Sequence, residues 1–317
     1  RVVAKDKPSD LRKGGWRLDK GANRVAHDRM HEALIAFHST EGDGGTVLRD
    51  LLLCQPHDIE ESAKRPPEIR GQKKRPISLD GMLLDDSQIE AINSASNQRL
   101  TLIQGPPGTG KTHTAVHLLK CLIEMGRGPI LATAESNVAV DNLLEGLIDL
   151  GVDAIRFGRP VKVREGLREA TLDAKIASHP KQDEIAFIKE ETDAMRKKLH
   201  DLKGKDKGLA HRDINKNYRE VRELEQKITD EILNNAQVLC TTNIGAGHFS
   251  LSKRKFSIVL IDEATQATEP SALVPIVKGA RQLILVGDHK QLPHTVTSRR
   301  AEEHGLEIPL FERLLSS

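Results

Sequence analysis

Six short apolar runs, each bounded by turn residues, constrain the fold of this 317-residue chain more than any other feature of its sequence. They lie at residues 100–104, 129–133, 153–157, 237–241, 257–262 and 282–288. Strands buried on both faces of a parallel sheet have continuous apolar runs of this kind. Helical patterns at 111–125 and 138–150 separate the first three runs. The sequence therefore predicts an α/β fold with a doubly wound parallel sheet, whose ligands bind at the carboxyl ends of the strands.

A charged segment at residues 181–235 interrupts this alternation, with 13 basic and 13 acidic residues among 55. Apolar residues recur there at steps of three and four on both sides of the sequence GKDKG at 204–208. This period predicts an inserted antiparallel hairpin of two amphipathic helices, joined by the Gly/Lys segment. Two interpretations remain open for it, a purely structural role and a role in contacting nucleic acid.

The first 80 residues differ in character from the rest. Helices are predicted at 21–37 and 46–54, followed by a polar, Pro-rich linker at 55–76 that contains a basic KKR run. The first helix has an apolar face formed by Ala22, Ala26, Met30, Ala33 and Phe37. We therefore expect a partial accessory region at 1–80 and an α/β domain at 81–317, with the insertion at about 158–235.

The segment GPPGTGKT at 105–112 follows the first apolar run and precedes a helical pattern, as a phosphate-binding loop does. Its backbone N–H groups and the helix N-terminus would concentrate partial positive charge on the phosphates of ATP. Lys111 would reach the β and γ phosphates, and the Thr112 hydroxyl would bind Mg²⁺. The residues predicted to bind ATP here are Gly105, Pro106, Pro107, Gly108, Thr109, Gly110, Lys111 and Thr112.

Two further strand ends carry polar residues suited to ATP hydrolysis. The run SIVLID ends with Asp262, which Glu263 follows, and two carboxylates at the tip of an apolar strand require a cation or a polar site. Asp262 is predicted to hold Mg²⁺ and Glu263 to activate the attacking water. Gln291 follows the last run and is predicted to sense the γ-phosphate, on a loop positioned by Asp288.

Composition excludes several other classes. The net charge is only +2, so bulk charge gives no argument for nucleic-acid binding. Three cysteines lie far apart without a CxxC pair, which supports neither a disulfide framework nor a zinc site. No run approaches the ~20 apolar residues of a membrane span, and the first residues lack a signal-peptide core. The expected compartment is the cytoplasm, or the nucleus in a eukaryote.

Five segments occur in an order that resembles superfamily 1B helicases of the nonsense-mediated-decay and immunoglobulin mu-binding-protein type. They are GPPGTGKT, SNVAVDNL at 136–143, TTNIGAG at 241–247, DEATQATEP at 262–270 and VGDHKQLP at 286–293. The segment LDDSQIEAI at 84–92 resembles the Q motif of that family. The resemblance implies a RecA-like P-loop NTPase fold, a stalk helix before it and a helical insertion within it.

The same resemblance implies the roles of further residues. Gln88 would read the adenine edge. Single-stranded DNA or RNA would be contacted by Ser136, Asn137, Thr241, Thr242 and Asn243. Glu135 departs from the family pattern, which has a proline before the serine, and it places a carboxylate near the expected phosphate path.

The resemblance implies an ATP-dependent helicase that moves 5′ to 3′ on a single strand. The family continues beyond the position of Ser317 into a second RecA-like domain that supplies arginine fingers, so we expect this chain to bind ATP and hydrolyse it slowly. The alternatives are a nucleotide-binding scaffold without unwinding activity and a P-loop ATPase of another purpose. The sequence indicates neither a preference between DNA and RNA nor an oligomeric state.

Overall fold

The computed structural model describes residues 24–39, 45–53, 83–291 and 294–316. The predicted linker and its KKR run lie outside these residues. Every predicted strand is confirmed, with bounds that shift by at most one residue. The strands are β1 (Leu100–Gln104), β2 (Ile130–Ala134), β3 (Ala154–Arg156), β4 (Val238–Thr242), β5 (Ile258–Asp262) and β6 (Gln282–Gly287).

The strands form one parallel sheet in the order β1-β6-β5-β2-β4-β3. Alternate residues of a strand face opposite sides, and here each side has its own apolar layer. Ile130 and Ala132 pack in one layer, while Leu131 packs in the other. The predicted α/β parallel sheet of the RecA-like P-loop type is therefore confirmed.

Helices cover both faces of this sheet. The first layer contains α3 (Asp86–Asn97), α4 (Lys111–Glu124) and α5 (Asn137–Asp149). The second layer contains α9 (Asn243–Ala246), α10 (Glu269–Ile276) and α12 (Leu310–Leu315), with the N-terminal helices described next. The short α11 (Arg299–Glu303) has no buried residue. None of the helices in the described part of the chain is both long and apolar enough to cross a bilayer.

Two N-terminal helices, α1 (Val25–Ser39) and α2 (Gly45–Leu52), complete the second apolar layer. The predicted apolar face of α1 is confirmed at three positions, since Ala33 is buried and Met30 and Phe37 pack against the core, whereas Ala26 is exposed. Ala22 lies outside the described residues. Both helices thus pack in the core of the sheet domain. The proposed boundary near residue 80 marks a change in the character of the sequence, and as a domain boundary it remains a prediction.

The insertion between β3 and β4 contains α6 (Leu172–Ala177), α7 (Gln182–Lys198) and α8 (Gly204–Asn235). Lys189 contacts Glu225 and Arg196 contacts Tyr218, so residue numbers fall along one helix as they rise along the other. The helices α7 and α8 are therefore an antiparallel hairpin, as predicted. Its apolar contacts involve Ile185, Ile188, Val221 and Ile228.

The predicted joint of this hairpin is wrong. The sequence GKDKG at 204–208 forms the first turns of α8, and the two helices are connected by residues 199–203. Gly204 has a φ of 58°, a conformation that glycine adopts without strain, and α8 begins at this residue. The first four N–H groups of a helix have no partner within it and are satisfied by water or polar side chains, so a polar sequence is compatible with these turns.

A buried ion pair fastens the start of the insertion to α5. Arg156, at the end of β3, is 1% exposed and donates to Asp141 over 2.8 Å. The same guanidinium donates to Asn137 at 2.9 Å and to the Phe157 carbonyl at 2.7 Å. The second carboxylate oxygen of Asp141 accepts from the Arg164 backbone N–H at 2.8 Å. This cluster fixes the position of α5 relative to the insertion.

We predict that Arg156→Met lowers the free energy of unfolding by about 3–5 kcal/mol, because the Asp141 carboxylate would stay buried without its cation. Urea denaturation of the purified chain measures this change. Arg156→Met combined with Asp141→Asn is the matched control and should recover much of the loss. A single variant as stable as the wild type would show that the pair contributes nothing.

Candidate nucleotide-binding site

The segment 105–112 forms a loop between β1 and α4, as its sequence predicts. Gly108 and Gly110 have φ angles of 81° and 75°, which favour glycine. At Gly105 a side chain is excluded by packing, because a Cβ there would lie 2.6 Å from the Thr109 hydroxyl oxygen. That hydroxyl donates to the Pro106 carbonyl at 2.8 Å. The loop is thus shaped by backbone conformation and close packing.

Lys111 is the first residue of α4, and its side chain folds back over the loop. Its ammonium donates to the carbonyls of Gly105 at 2.7 Å and Pro106 at 3.0 Å. The helix N-terminus adds partial positive charge beneath the same loop. An ammonium held over a row of N–H groups at a helix N-terminus is suited to bind phosphate.

Thr112 and Asp262 are 150 positions apart in sequence and meet at this loop. The Thr112 hydroxyl donates to one oxygen of Asp262 at 2.9 Å, and the Glu263 backbone N–H donates to the other at 2.9 Å. Burial raises the pKa of Asp262 to about 6, although both hydrogen bonds favour its charged form. A hard cation such as Mg²⁺ prefers oxygen ligands of this kind. The two residues therefore fit the predicted magnesium site.

Glu263 stands out in its backbone, since it has a φ of 51° without being glycine. Residues in this conformation occur often at functional sites, where the surrounding structure holds them. Its carboxylate accepts a long hydrogen bond of 3.4 Å from the Ser136 hydroxyl. Glu263 is thus placed between the end of β5 and the segment that follows β2.

Gln291 and Asp288 lie together after β6. The Gln291 side-chain amide donates to Asp288 at 3.1 Å, and the Lys290 backbone N–H donates to the same carboxylate at 3.1 Å. These hydrogen bonds lower the pKa of Asp288, with the Gln291 contact the larger cause. The structure therefore agrees with the expectation that Asp288 positions the loop of Gln291.

These groups line one cleft of about 290 Å³. The predicted residues along it include Lys111, Thr112, Asp262, Glu263 and Gln291. Among the described residues, no cluster of three or more His, Cys, Asp or Glu side chains could hold a metal. A cation here would therefore depend on Thr112, Asp262 and oxygens of a bound phosphate.

Gln88 lies against the phosphate loop. Its amide nitrogen donates to the Thr109 carbonyl at 3.1 Å, and its oxygen accepts from the Asp85 N–H at 3.1 Å in the capping box of α3. A side-chain amide has two N–H donors and two lone pairs, so one of each remains for a ligand. The predicted role at adenine is chemically possible beside this structural one.

The predicted nucleic-acid residues after β2 also have structural roles. Ser136 caps α5 by accepting from the Ala139 N–H at 3.1 Å, and Asn137 accepts from Arg156. Both side chains are partly exposed. The cap is the alternative that the residue types alone suggest, and the hydroxyl hydrogen of Ser136 is donated to Glu263 over 3.4 Å.

The predicted contacts after β4 need correction at two positions. Thr241 and Asn243 are 1% and 0% exposed, so their side chains are not available to a strand in this conformation. The amide of Asn243 instead donates to Glu135 at 3.0 Å, and the same carboxylate oxygen accepts from Ser271 at 2.7 Å. Thr242 remains partly exposed and caps α9. Thr241 is buried because the chain packs tightly against it: a Cβ on Gly245 would clash with the Thr241 hydroxyl oxygen.

Sequence reasoning missed other residues of the cleft. His113 and Thr265 line it, and the Thr265 hydroxyl accepts from the Asp288 N–H at 3.4 Å. Both follow predicted residues closely, so their position in the chain was the available signal. Arg156 and Glu135 were missed as organising groups because their partners lie far away in sequence.

The burial of Asp262 predicts a trade-off between stability and metal binding. Because its folded-state pKa is raised from an ordinary value near 4 to about 6, the folded state loses stability as the pH rises from about 4 to about 6, and the loss is complete above pH 6. We expect Asp262→Asn to raise the free energy of unfolding of the metal-free chain at pH 8 by up to about 3 kcal/mol. The gain should disappear below about pH 4, where the unfolded carboxyl is also protonated.

Denaturation curves in EDTA at pH 4, 6 and 8 test this expectation. Asp173→Asn, at an exposed carboxylate on α6, is the control for a charge change without burial. A stability difference between Asp262→Asn and the wild type that is independent of pH would contradict the prediction.

Comparison with known proteins gives the family. The family described as "AAA domain" matches residues 83–299. The yeast (Saccharomyces cerevisiae) ATP-dependent helicase NAM7 is 38% identical over 92% of this chain and 28% of its own length. The mouse (Mus musculus) DNA-binding protein SMUBP-2 is 34% identical over 99% of the chain and 31% of its own length.

An uncharacterized ATP-dependent helicase of Methanocaldococcus jannaschii is 34% identical over 98% of the chain and 50% of its own length. The chain thus spans half or less of these relatives. The family match covers more than half of the chain, and it includes the phosphate loop, Asp262 and Gln291. With its parallel sheet and ordered motifs, the chain belongs to the superfamily 1B helicases of the nonsense-mediated-decay and immunoglobulin mu-binding-protein type.

Proposed function

We propose that this chain is the ATP-binding and ATP-hydrolysing motor domain of a 5′-to-3′ helicase that acts on single-stranded DNA or RNA. The observation that carries the proposal is the contact of 2.9 Å between Thr112 and Asp262, beside the Lys111 ammonium. It joins the phosphate loop to the acidic end of β5 in one cleft. A site that only bound nucleotide would not need the Glu263 carboxylate at that strand end.

In this proposal each residue has a distinct task. The loop N–H groups and Lys111 bind the β and γ phosphates, and Gln88 contacts the adenine. Thr112 and Asp262 hold Mg²⁺, which neutralises phosphate charge when bound. Glu263 orients the attacking water and accepts its proton. The Gln291 amide contacts the γ-phosphate, and its hydrogen bond to Asp288 fixes its direction.

The nucleic-acid contacts of this proposal lie at the ends of β2 and β4, in the half of the sheet away from β1. Ser136, Asn137 and Thr242 offer partly exposed hydroxyl and amide groups at the ends of β2 and β4. Small polar groups and backbone N–H donors are the usual contacts to a sugar-phosphate backbone. We assign Thr241 and Asn243 to positioning this surface, since both side chains are buried. Contact without base recognition fits a motor that moves along any sequence.

The 5′-to-3′ polarity rests on similarity to the family alone. Unwinding by the whole protein requires a second RecA-like domain, which closes on the nucleotide and opens again. Among the described residues that line the cleft, Lys111 is the only one with a permanent positive charge. This supports the proposal that arginines of a second domain complete the site.

We predict that Glu263→Gln lowers ATP turnover by about 10²–10⁴-fold, because the amide cannot accept a proton from the attacking water. Binding of ATP with Mg²⁺ should stay within about threefold of the wild type, since the Glu263 side chain hydrogen-bonds to Ser136 and to none of the described residues of the phosphate loop. Phosphate release and titration with a fluorescent ATP analogue measure the two effects. Glu165→Gln, at an exposed glutamate of the insertion, is the matched control.

Two results would count against this assignment. A wild-type protein without turnover, even in the presence of its second domain, would favour the scaffold alternative. Equal turnover of Glu263→Gln and the control would move the general base to another residue.

We predict that the isolated chain hydrolyses ATP about 10³–10⁵-fold more slowly than a longer protein that includes the second RecA-like domain. Arginine fingers contribute about that much in related P-loop enzymes. Turnover of the two proteins, each with and without a single-stranded oligonucleotide, gives the comparison. Equal rates would show that the site of this chain is complete by itself.

A further inference from the structure

The charge of the helical hairpin is divided between its two ends. Residues 196–219, around the turn, hold 9 Lys or Arg against 3 Asp or Glu, a net charge of +6. The remaining hairpin residues, 181–195 and 220–235, hold 4 Lys or Arg against 10 Asp or Glu, a net charge of −6. The hairpin as a whole is neutral, which is why its total composition gave no signal.

Within the positive half, four residues of α8 form a single row. Lys205, Arg212, Lys216 and Arg219 are separated by seven, four and three positions, which places them within about 60° around the helix. All four side chains are exposed. At 1.5 Å per residue the row is about 21 Å long. We call these four residues the basic row.

The basic row faces away from the rest of the hairpin. The packed face of α8 contains Ile214, Val221 and Ile228, which lie roughly opposite on the helix. No described residue forms an ion pair with any member of the row. In the acidic half, by contrast, Lys189 pairs with Glu225 and Asp230 with Arg254. The row is therefore neither part of the hairpin core nor neutralised within the described chain.

Neither stabilisation of the helix dipole nor solubility accounts for the basic row. Basic residues in the last turn of a helix stabilise its dipole, and Arg196 at the end of α7 fits that role. The basic row, however, lies in the N-terminal half of α8, where the dipole opposes positive charge. Solubility would be served equally by charges of mixed sign, as found in the acidic half with its four basic residues.

We infer that the basic row is a binding surface for the sugar-phosphate backbone of nucleic acid, separate from the strand ends of the sheet. A line of four unpaired cations suits a linear polyanion better than a compact acidic patch on a protein. Lys and Arg side chains bind phosphates without reading sequence and release counterions in doing so. The inference rests on the proposed function, and it assigns the hairpin a direct part in holding the strand.

The test uses the 317-residue chain and a fluorescent 20-nucleotide oligo(dT) or oligo(U), with affinity measured by anisotropy at several salt concentrations. Replacing all four residues of the basic row by Gln should weaken binding at least tenfold near 0.1 M salt. It should also reduce the slope of log K against log salt by about 2–3, since each lost contact to a single-stranded phosphate contributes about 0.7.

Paired variants of the same helix supply the control. Arg212→Gln with Lys216→Gln removes two charges from the row, and Arg222→Gln with Lys227→Gln removes two exposed charges from the acidic half. The first pair should reduce the salt slope by about 1.4 and the second pair by much less. Unchanged ATP affinity in all variants verifies that the fold is intact.

Two contrary outcomes are distinguishable. If the wild type binds the oligonucleotide and both pairs lose affinity equally, the basic row is not a specific surface and the inference is wrong, while the proposed function stands. If the wild type binds ATP but no oligonucleotide at any salt concentration, the nucleic-acid part of the proposed function fails together with the inference.

Discussion

Parallel pairing in register is the constraint on which the rest of this structure depends. Residues at the ends of neighbouring strands are paired directly, as Gln104 with Gly287 and Ala134 with both Asp262 and Thr242. Every segment that leaves a strand therefore begins at the same edge of the sheet. Groups that are 150 positions apart in sequence, such as Thr112 and Asp262, come within hydrogen-bond distance only because this edge is shared.

A buried carboxylate is the energetic cost of this arrangement. Asp262 lies at 2% exposure, where desolvation opposes its charge more than its two hydrogen bonds support it. In the folded protein without metal, burial therefore makes the charged form of Asp262 less stable than it is in water. A divalent cation reverses the balance by supplying the missing opposite charge. The buried Asp262 carboxylate would thus favour binding of a cation and, at the same time, lower the stability of the metal-free protein.

Much of the fold could be predicted from the sequence because it follows local patterns. Buried strands have continuous apolar runs and the phosphate loop has fixed glycines, so both were located within one residue. The start of α8 was missed, since a helical first turn and a polar loop have similar composition. The burial of Asn243 was also missed, because it depends on Glu135, 108 positions away. Long-range polar contacts leave no periodic trace in a sequence.

The order of the strands separates two kinds of chemistry and joins them at one point. The residues of the predicted phosphate site follow β1, β6 and β5, while the residues expected to contact nucleic acid follow β2 and β4. The two groups meet where β5 is paired with β2, and there the Ser136 hydroxyl lies 3.4 Å from the Glu263 carboxylate. A phosphate that accepts a hydrogen bond from Ser136 would compete with Glu263 for the same proton. In the proposed function the carboxylate would then be free to turn toward water, and a single hydroxyl group would link binding of a nucleic-acid strand to hydrolysis of ATP.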